Sequence, residues 1–470
     1  MKDKHLHQNK DKSHIILPIE IKKREFLSKL VLSVNLVNHG HPVIIGDRSG
    51  CLRELSFLKR SIYLAKSLSV DLLPTFKKIQ EQNGKILVLF EEGGYVLREN
   101  NKTEEIRSFY PKEMLPYVDY IMTYGRGYQD LLIEKYSELN YSNTYVSGNA
   151  RFDLHKPKYF DLYKKEVDII KKQYGEYILI NTNFALANHV LGDEFIINEF
   201  KNSKDFTTDL IAYYSNMQKD QIKDLKDFVF MIRSVAFNFP QENIIVRPHP
   251  IENKMFYNAA FADVNNIYVE AGCSATPWIV GSQIVIHKDC TTGLESFFSK
   301  KPIISYQSSE DPNILWLPPL VSDVARSVDE MIIKIAQYLN KDQEFKIGIE
   351  NDTIVAREVE NMNSFTSDLF IQLIRDLKAN GENNLDEVND RIAKSKRMSL
   401  IYKLYKRKRN HLGWLKSKYF QKNIYSKSFE GLTISEVKRT FIKLREIEGL
   451  EFDFHIHKRG VNTFLIERKN

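Results

Sequence analysis

Three short stretches combine residue types able to handle a phosphate and a proton. In NIIVRPHPIE (243–252) an apolar run ends abruptly in Arg247, Pro248, His249 and Pro250. Prolines on both sides of His249 restrict the backbone, so the imidazole is presented at a defined angle. Imidazole titrates near neutrality, which suits it to donating to a phosphate or protonating a departing one. Arg247 adds a permanent charge capable of bidentate contact, and Pro250 closes the corner. The alternative is a turn after a strand carrying a surface arginine. His41-Pro42 in GHPVIIG precedes a strand and reads as structural, so position after the strand singles out His249.

In LVLFEEGGYV (87–96) Glu91 and Glu92 follow four apolar residues and precede two glycines. Adjacent carboxylates at the mouth of a dry cleft repel one another, and one then has its pKa raised towards that of a base for an acceptor hydroxyl. Gly93 would let a ligand approach the backbone closely. A turn with two solvated acids is the alternative. In HKDCTTGLESFF (287–298) Thr291, Thr292 and Gly293 open a short helix. Hydroxyls and free N–H groups at such a start suit phosphate oxygens; a plain N-cap is the alternative. Arg126 in YGRGYQD would bind a sugar carboxylate or stand as an exposed loop arginine.

The elements around these stretches alternate. HIILPIE (14–20), PVIIGD (42–47), KILVLFEEGG (85–94), DYIMTYG (119–125) and NTYVSGN (143–149) read as strands separated by helical patterns, the first at 24–40. A second series is EYILINTN (176–183), NIIVRPHP, NIYVEAG (266–272), SQIVIHKD (282–289) and KPIISY (301–306). Apolar, β-branched strands in this alternation predict parallel sheets covered on both faces. The expected fold is α/β with two Rossmann-type doubly wound domains, 1–165 and 166–377, followed by a linker and basic helical extension over 378–470. Ligands of open parallel sheets bind beyond the carboxyl ends of the strands, where all three polar stretches fall. Two sheets facing each other would bring those ends into one central cleft.

Bulk properties narrow the class. The 470 residues are 43% hydrophobic and 12% aromatic, enough for two or three domains with real cores. Three cysteines are too few and scattered for a disulfide framework, which points to a reducing cytoplasm. The start, MKDKHLHQNKDKSH, has no apolar h-region, and no stretch reaches the ~18 apolar residues of a membrane span. The net charge of +7 is modest, but 394–422 carries eleven Lys and Arg, no acid, and interleaved Tyr, Trp, Phe and Leu. That segment suits an anionic bilayer surface, with a solvated basic helix as the alternative; no nucleic-acid motif accompanies it. No metal site is expected: His5, His7, His455 and His457 are spaced by two but lie in terminal or strand-like segments.

Together, HIILPIEIKKREFLSKLVL, VLFEEGG, VSGNARFDLHKP, YILINTNFA, VRPHP and TTGLESFFSKKPIISY resemble the bacterial surface carbohydrate biosynthesis family over roughly residues 13 to 310. More distantly, EEG, HP and the hydroxyl cluster are similar to motifs of bacterial sialyltransferases and capsule β-Kdo transferases, GT-B enzymes that use CMP-activated 2-keto-3-deoxy sugar acids. That resemblance implies a metal-independent glycosyltransferase with no cofactor beyond its CMP-sugar donor. It implies Glu91 or Glu92 as base, His249 on the CMP phosphate, Thr291 and Thr292 on the same phosphate, and Glu295 on ribose or cytosine. Arg151, Asp153 and Asn183 join the expected binding residues; a salt bridge is the alternative for Asp153. Retaining β-Kdo transferases carry an aspartate nucleophile where ILINTNFALAN has Asn181 and Asn183, so inversion fits better. The expected partners are a nucleotide sugar, a glycan acceptor and, through the tail, the inner face of the plasma membrane. CDP-glycerol glycerophosphotransferases share a strand-end His-Pro and a hydroxyl-rich loop, which keeps a CDP-polyol donor open. A non-catalytic glycan-assembly protein and a GT-B-type epimerase stay open as well.

Overall fold

The computed structural model of the protein describes residues 13–89, 110–202, 208–271, 274–308, 317–341, 344–346, 349–379 and 431–469. They fall into two compact units. Within the described residues the first unit holds 13–89, 110–151, 359–379 and 431–469, and the second lies within 152–358.

The first unit is built on an eight-stranded sheet. Its parallel strands are β1 (Ile15–Ile19), β2 (Val43–Asp47), β3 (Ile62–Ala65), β4 (Lys85–Leu89), β5 (Tyr120–Thr123) and β6 (Thr144–Val146), in the order β2-β1-β3-β4-β5-β6. All five residues of β1 are buried, as a strand with helices on both faces requires. The helix Lys22–Asn38 packs on the sheet and buries Phe26, Leu30, Val31, Leu32, Val34, Leu36 and Val37. It ends where Gly40 takes a φ of 78°, a conformation that costs glycine little, and the chain turns back into β2.

The second unit holds a six-stranded parallel sheet. Its strands are β7 (Tyr177–Asn181), β8 (Asn243–Arg247), β9 (Ile267–Val269), β10 (Ile284–His287), β11 (Ile303–Tyr306) and β12 (Asp323–Ala325). The order is β12-β11-β10-β7-β8-β9. The helix Thr208–Asn238 sets Leu225, Phe228, Ile232 and Val235 against Ile178, Ile180, Val246 and Ile286 on one face. Those four recur at steps of three and four, the period of one helical face. On the other face Tyr177, Leu179, Ile245 and Val285 pack with Ile170, Tyr174, Trp278 and Ile279.

The α/β, doubly wound architecture is the expected one, and three features differ from the sequence reading. First, the units divide after Arg151 rather than near 165. The reason is packing: Phe152 stacks on Phe298 at 5.4 Å, and Tyr159 and Tyr163 are buried beyond it. Second, residues 359–379 return to the first unit, where Asn361 Nδ2 donates to the Asn149 carbonyl at 3.0 Å. Third, the chain after 430 is no helical appendage. It forms a helix, Ile434–Ile447, and a hairpin of β13 (Phe454–Lys458) and β14 (Thr463–Arg468), and β14 adds antiparallel to β2.

The fit of that hairpin depends on two glycines. A Cβ on Gly46 would lie 2.3 Å from the Asn462 carbonyl oxygen, and one on Gly50 would lie 1.8 Å from Thr463 Oγ1. Arg459 also donates to buried Glu54 at 3.0 Å, and Lys22 pairs with Glu436 at 2.8 Å. The strands β3, β12 and β14 were not recognised from sequence, because each is short or lies in a polar stretch, whereas His455 and His457 do lie in a strand, β13. The basic segment 394–422 lies outside the described residues.

Candidate functional site

In the second sheet β7 starts a run to one side through β8 and β9, and β10 restarts on β7's other side. The order reverses between β7 and β10, and such a switch point leaves a crevice beyond the strands' carboxyl ends. Three adjacent strands end there in polar residues: Arg247 on β8, Asn181 on β7 and His287 on β10. The register pairs Asn181 with Arg247 and, one step earlier, Ile180 with Ile286. Side chains alternate across a strand, so these three project to the face already holding Leu179, Ile245 and Val285.

Each of the three is held differently. Arg247 is buried, and its guanidinium lies 5.0 Å from the centroid of Trp278, a cation–π contact. Asn181 is only 4% exposed, and its Nδ2 has no hydrogen-bond partner. His287 is fully buried, with Nε2 2.8 Å from Ser322 Oγ. Ser322 Oγ donates to the Pro318 carbonyl, so His287 Nε2 is the donor to Ser322. Burial with no partner on Nδ1 pushes the His287 pKa down to about 3 and leaves the ring neutral. His287 is therefore a packing residue, and Gly293 sits directly on it: a Cβ there would lie 2.6 Å from Nε2. Gly293, expected among the helix-start groups suited to a phosphate, is where this helix packs closely over β10.

The helix after β10, Thr292–Phe298, starts as the sequence predicts, but neither threonine caps it through its side chain. Thr292 Oγ1 is buried against the Cys290 thiol, whose pKa burial pushes up to about 11 while the threonine hydroxyl opposes the rise. Asn183 and Asp289 face one another over the switch point, and their hydrogen bond offsets part of the rise that burial gives the Asp289 pKa. Lys288 is ion-paired with Asp224 over the ring of Phe184, and burial lowers its pKa. Glu295 is buried, with a carboxylate oxygen 3.9 Å from His155 Nε2.

The corner containing His249 is organised by Glu252, a residue the sequence reading passed over. Its buried carboxylate accepts from Thr182 Oγ1 at 2.9 and 3.0 Å, Phe184 N at 3.0 Å, His249 N at 3.1 Å and the Tyr257 hydroxyl at 2.5 Å. These bonds tie the end of β7 to the turn after β8. Burial raises the Glu252 pKa, and the four donors oppose that rise. Pro248 is buried and Pro250 exposed on either side of half-buried His249.

Asn183, Arg247, His249, Pro250, Thr291, Thr292, Gly293 and Glu295 all lie in the second unit. Asp153 is also in this unit, buried and paired with Lys156 at 3.0 Å, the salt bridge foreseen as its alternative. Arg126 and Arg151 belong to the first unit. Arg126 is exposed, bonded to Asp130 at 3.1 Å and stacked on Tyr141 at 4.5 Å; the Arg151 main-chain N–H donates to Asn149 Oδ1 at 3.0 Å. Glu91, Glu92 and Gly93 lie outside the described residues. Among the described residues no group of three or more potential ligands is placed to hold a metal, and no helix is long and apolar enough to cross a membrane. A sequence signal for Asn181 did exist: YILIN, NIIVR and QIVIH each close an apolar run with one polar residue.

No protein-family model and no curated protein matches the chain. Solved structures do resemble it. UDP-GlcNAc 2-epimerase from Methanocaldococcus jannaschii is 12% identical over 78% of this chain and 99% of that one, with a TM-score of 0.47. The Neisseria meningitidis UDP-GlcNAc 2-epimerase bound to UDP-GlcNAc is 12% identical over 78% of this chain and 100% of that one, with a TM-score of 0.44. The wall teichoic acid polymerase TagF is 10% identical over 79% of this chain and 90% of that one, with a TM-score of 0.48. At such identities no substrate passes from those proteins to this chain.

Proposed function

We propose that the switch-point crevice of the second unit receives the phosphate of a cytidine nucleotide, and that the protein is a GT-B-type glycosyltransferase of bacterial surface glycans. The observation that carries this reading is the buried Asn181 Nδ2, a donor without an acceptor at the end of β7 and paired in register with the Arg247 cation at the end of β8. A buried donor without an acceptor is costly, and an anionic oxygen would satisfy it. The sequence resemblance supplies the rest. The donor is a CMP-activated 2-keto-3-deoxy sugar acid, and the acceptor is a glycan hydroxyl. One of Glu91 and Glu92 takes the hydroxyl proton as the new C–O bond forms at the anomeric carbon. The bond from that carbon to the phosphate oxygen breaks, and His249 protonates or hydrogen-bonds the leaving CMP. Arg247, Thr291 and Thr292 hold its charge, and Glu295 and Asn183 lie on the nucleoside side. Asn181 stands where a covalent nucleophile would be needed, so direct displacement with inversion is the consistent course. The basic segment 394–422 would hold the protein at the inner face of the plasma membrane.

A CDP-polyol donor is the second reading. Asn181 closes β7 and Thr292 opens the helix after β10, and a pyrophosphate would offer one phosphate to each. The test begins with thermal shift against CMP, CDP, UDP and GDP. Stabilisation by CMP and CDP alone is expected, and the N181A and R247A variants should lose it. A ligand at 100 times its Kd adds about 2.7 kcal/mol of stability, well within detection. Stabilisation by UDP or GDP in place of cytidine nucleotides refutes the donor assignment. Mass spectrometry of products then separates the two donors: a sugar-acid increment from CMP-sugars supports the first reading, and a polyol-phosphate increment from CDP-polyols supports the second.

A further inference from the structure

The helix Thr208–Asn238 has an outward face of unusual composition. Its inward face is fixed by Leu225, Phe228, Met231, Ile232 and Val235, all buried in the core of the second unit. That anchoring decides which residues look outward. Lys219, Lys223, Lys226, Phe230 and Phe237 recur at steps of four, three, four and seven, so they form one line along the helix. All five are exposed, Phe230 by 64% and Phe237 by 85%. From 219 to 237 the line is about 27 Å long at 1.5 Å per residue.

Charges around the line are arranged in its favour. Asp220 and Asp227 lie to one side of it rather than within it. Asp224 is ion-paired with Lys288, and Arg233, on the other flank, is paired with Asp263 at 2.5 Å. A single exposed phenylalanine needs no explanation, but two rings one heptad apart, continuing a row of three lysines, form a pattern. The centre of a protein interface is normally depleted of lysine, which disfavours a second protein. Lysines at headgroup level with aromatic rings dipping beside them are what an anionic bilayer surface selects.

We propose that this face of the second unit rests on an anionic lipid surface, with Phe230 and Phe237 entering the headgroup boundary and Lys219, Lys223 and Lys226 on the lipid phosphates. The inference is independent of which nucleotide the crevice accepts. It adds a contact separate from the basic segment 394–422.

The test is sedimentation of the full chain with vesicles of phosphatidylcholine, with and without phosphatidylglycerol. Wild type should bind the anionic vesicles and release them at high salt. K219S/K223S/K226S should bind roughly 100-fold more weakly, given about one kcal/mol per lysine near such a surface. F230S/F237S should bind at least roughly tenfold more weakly, since apolar burial also sets interfacial affinity. Both variants should keep the wild-type melting temperature, since every changed side chain is exposed. The proposal is overturned if wild type ignores anionic vesicles. It is equally overturned if both variants bind like wild type, which would leave 394–422 or another surface as the carrier. Conversion of a dimer to a monomer with vesicle binding unchanged overturns it too, because a second copy would then be what covers the face.

Discussion

Glu252 accepts from four donors on three segments. In the E252Q variant the side-chain –NH2 would be turned against at least one of those donors. Leaving a buried donor unsatisfied costs about 1–3 kcal/mol. We therefore expect E252Q to lose about 2 kcal/mol in urea denaturation, with nucleotide affinity falling too, because Glu252 positions the His249 backbone. Unchanged stability and affinity would show that the carboxylate does not organise the corner. The contrast with His249 is informative. Proline spacing marks His249 in the sequence, whereas nothing in PIEN distinguishes Glu252 from a surface acid until the fold buries it.

At the scale of elements, the helix Thr292–Phe298 and the C-terminal hairpin each approach a strand at a glycine. G293A would push a methyl group to 2.6 Å from the His287 ring, which is fully buried and cannot withdraw. Overpacking of this kind costs about 1–3 kcal/mol, so the melting temperature should fall even with no ligand present. A purely ligand-directed role for Gly293 would instead leave the free protein as stable as wild type. Truncation after residue 430 removes β14 from the β2 edge and strips Phe464, Ile466, Val437, Phe441 and Leu444, all buried, from the first unit. An uncovered edge and apolar face predict an insoluble or unfolded first unit, read by solubility and circular dichroism. A soluble, fully folded truncation would show the hairpin to be dispensable. The parallel strands other than short β3 and β12 were legible because apolar β-branched runs announce them. The place of the hairpin was not, because β14 pairs with β2, a strand far away in the sequence.

The molecule as a whole should weaken in mild acid. His287 has a folded-state pKa near 3, below the 6.5 of the unfolded chain. Its contribution is fully present above pH 6.5 and declines as pH falls towards 3, because only the unfolded chain takes up the proton in that window. The slope is about 1.4 kcal/mol per pH unit well inside it, giving a loss of about 2 kcal/mol between pH 7.5 and 5. His14, lowered to about 4 mainly by burial, adds to the effect in the first unit. Urea midpoints across this range should fall for wild type and fall less for H287Q; equal slopes in the two proteins would refute the assignment.

Composition and periodicity by themselves determined that this chain forms two doubly wound α/β units, because burial on both faces of a parallel sheet demands the apolar, β-branched runs that its strands show. They also marked the corner at His249 and the hydroxyls at Thr291 and Thr292, since prolines and helix starts act locally. Only tertiary structure decided that Asn181 and Arg247 share one register, that Gly293 packs on His287, and that the C-terminal hairpin joins the first sheet. Each of those facts depends on strand order and on contacts between distant segments, and a strand's sequence carries its own pattern but not the identity of its neighbours.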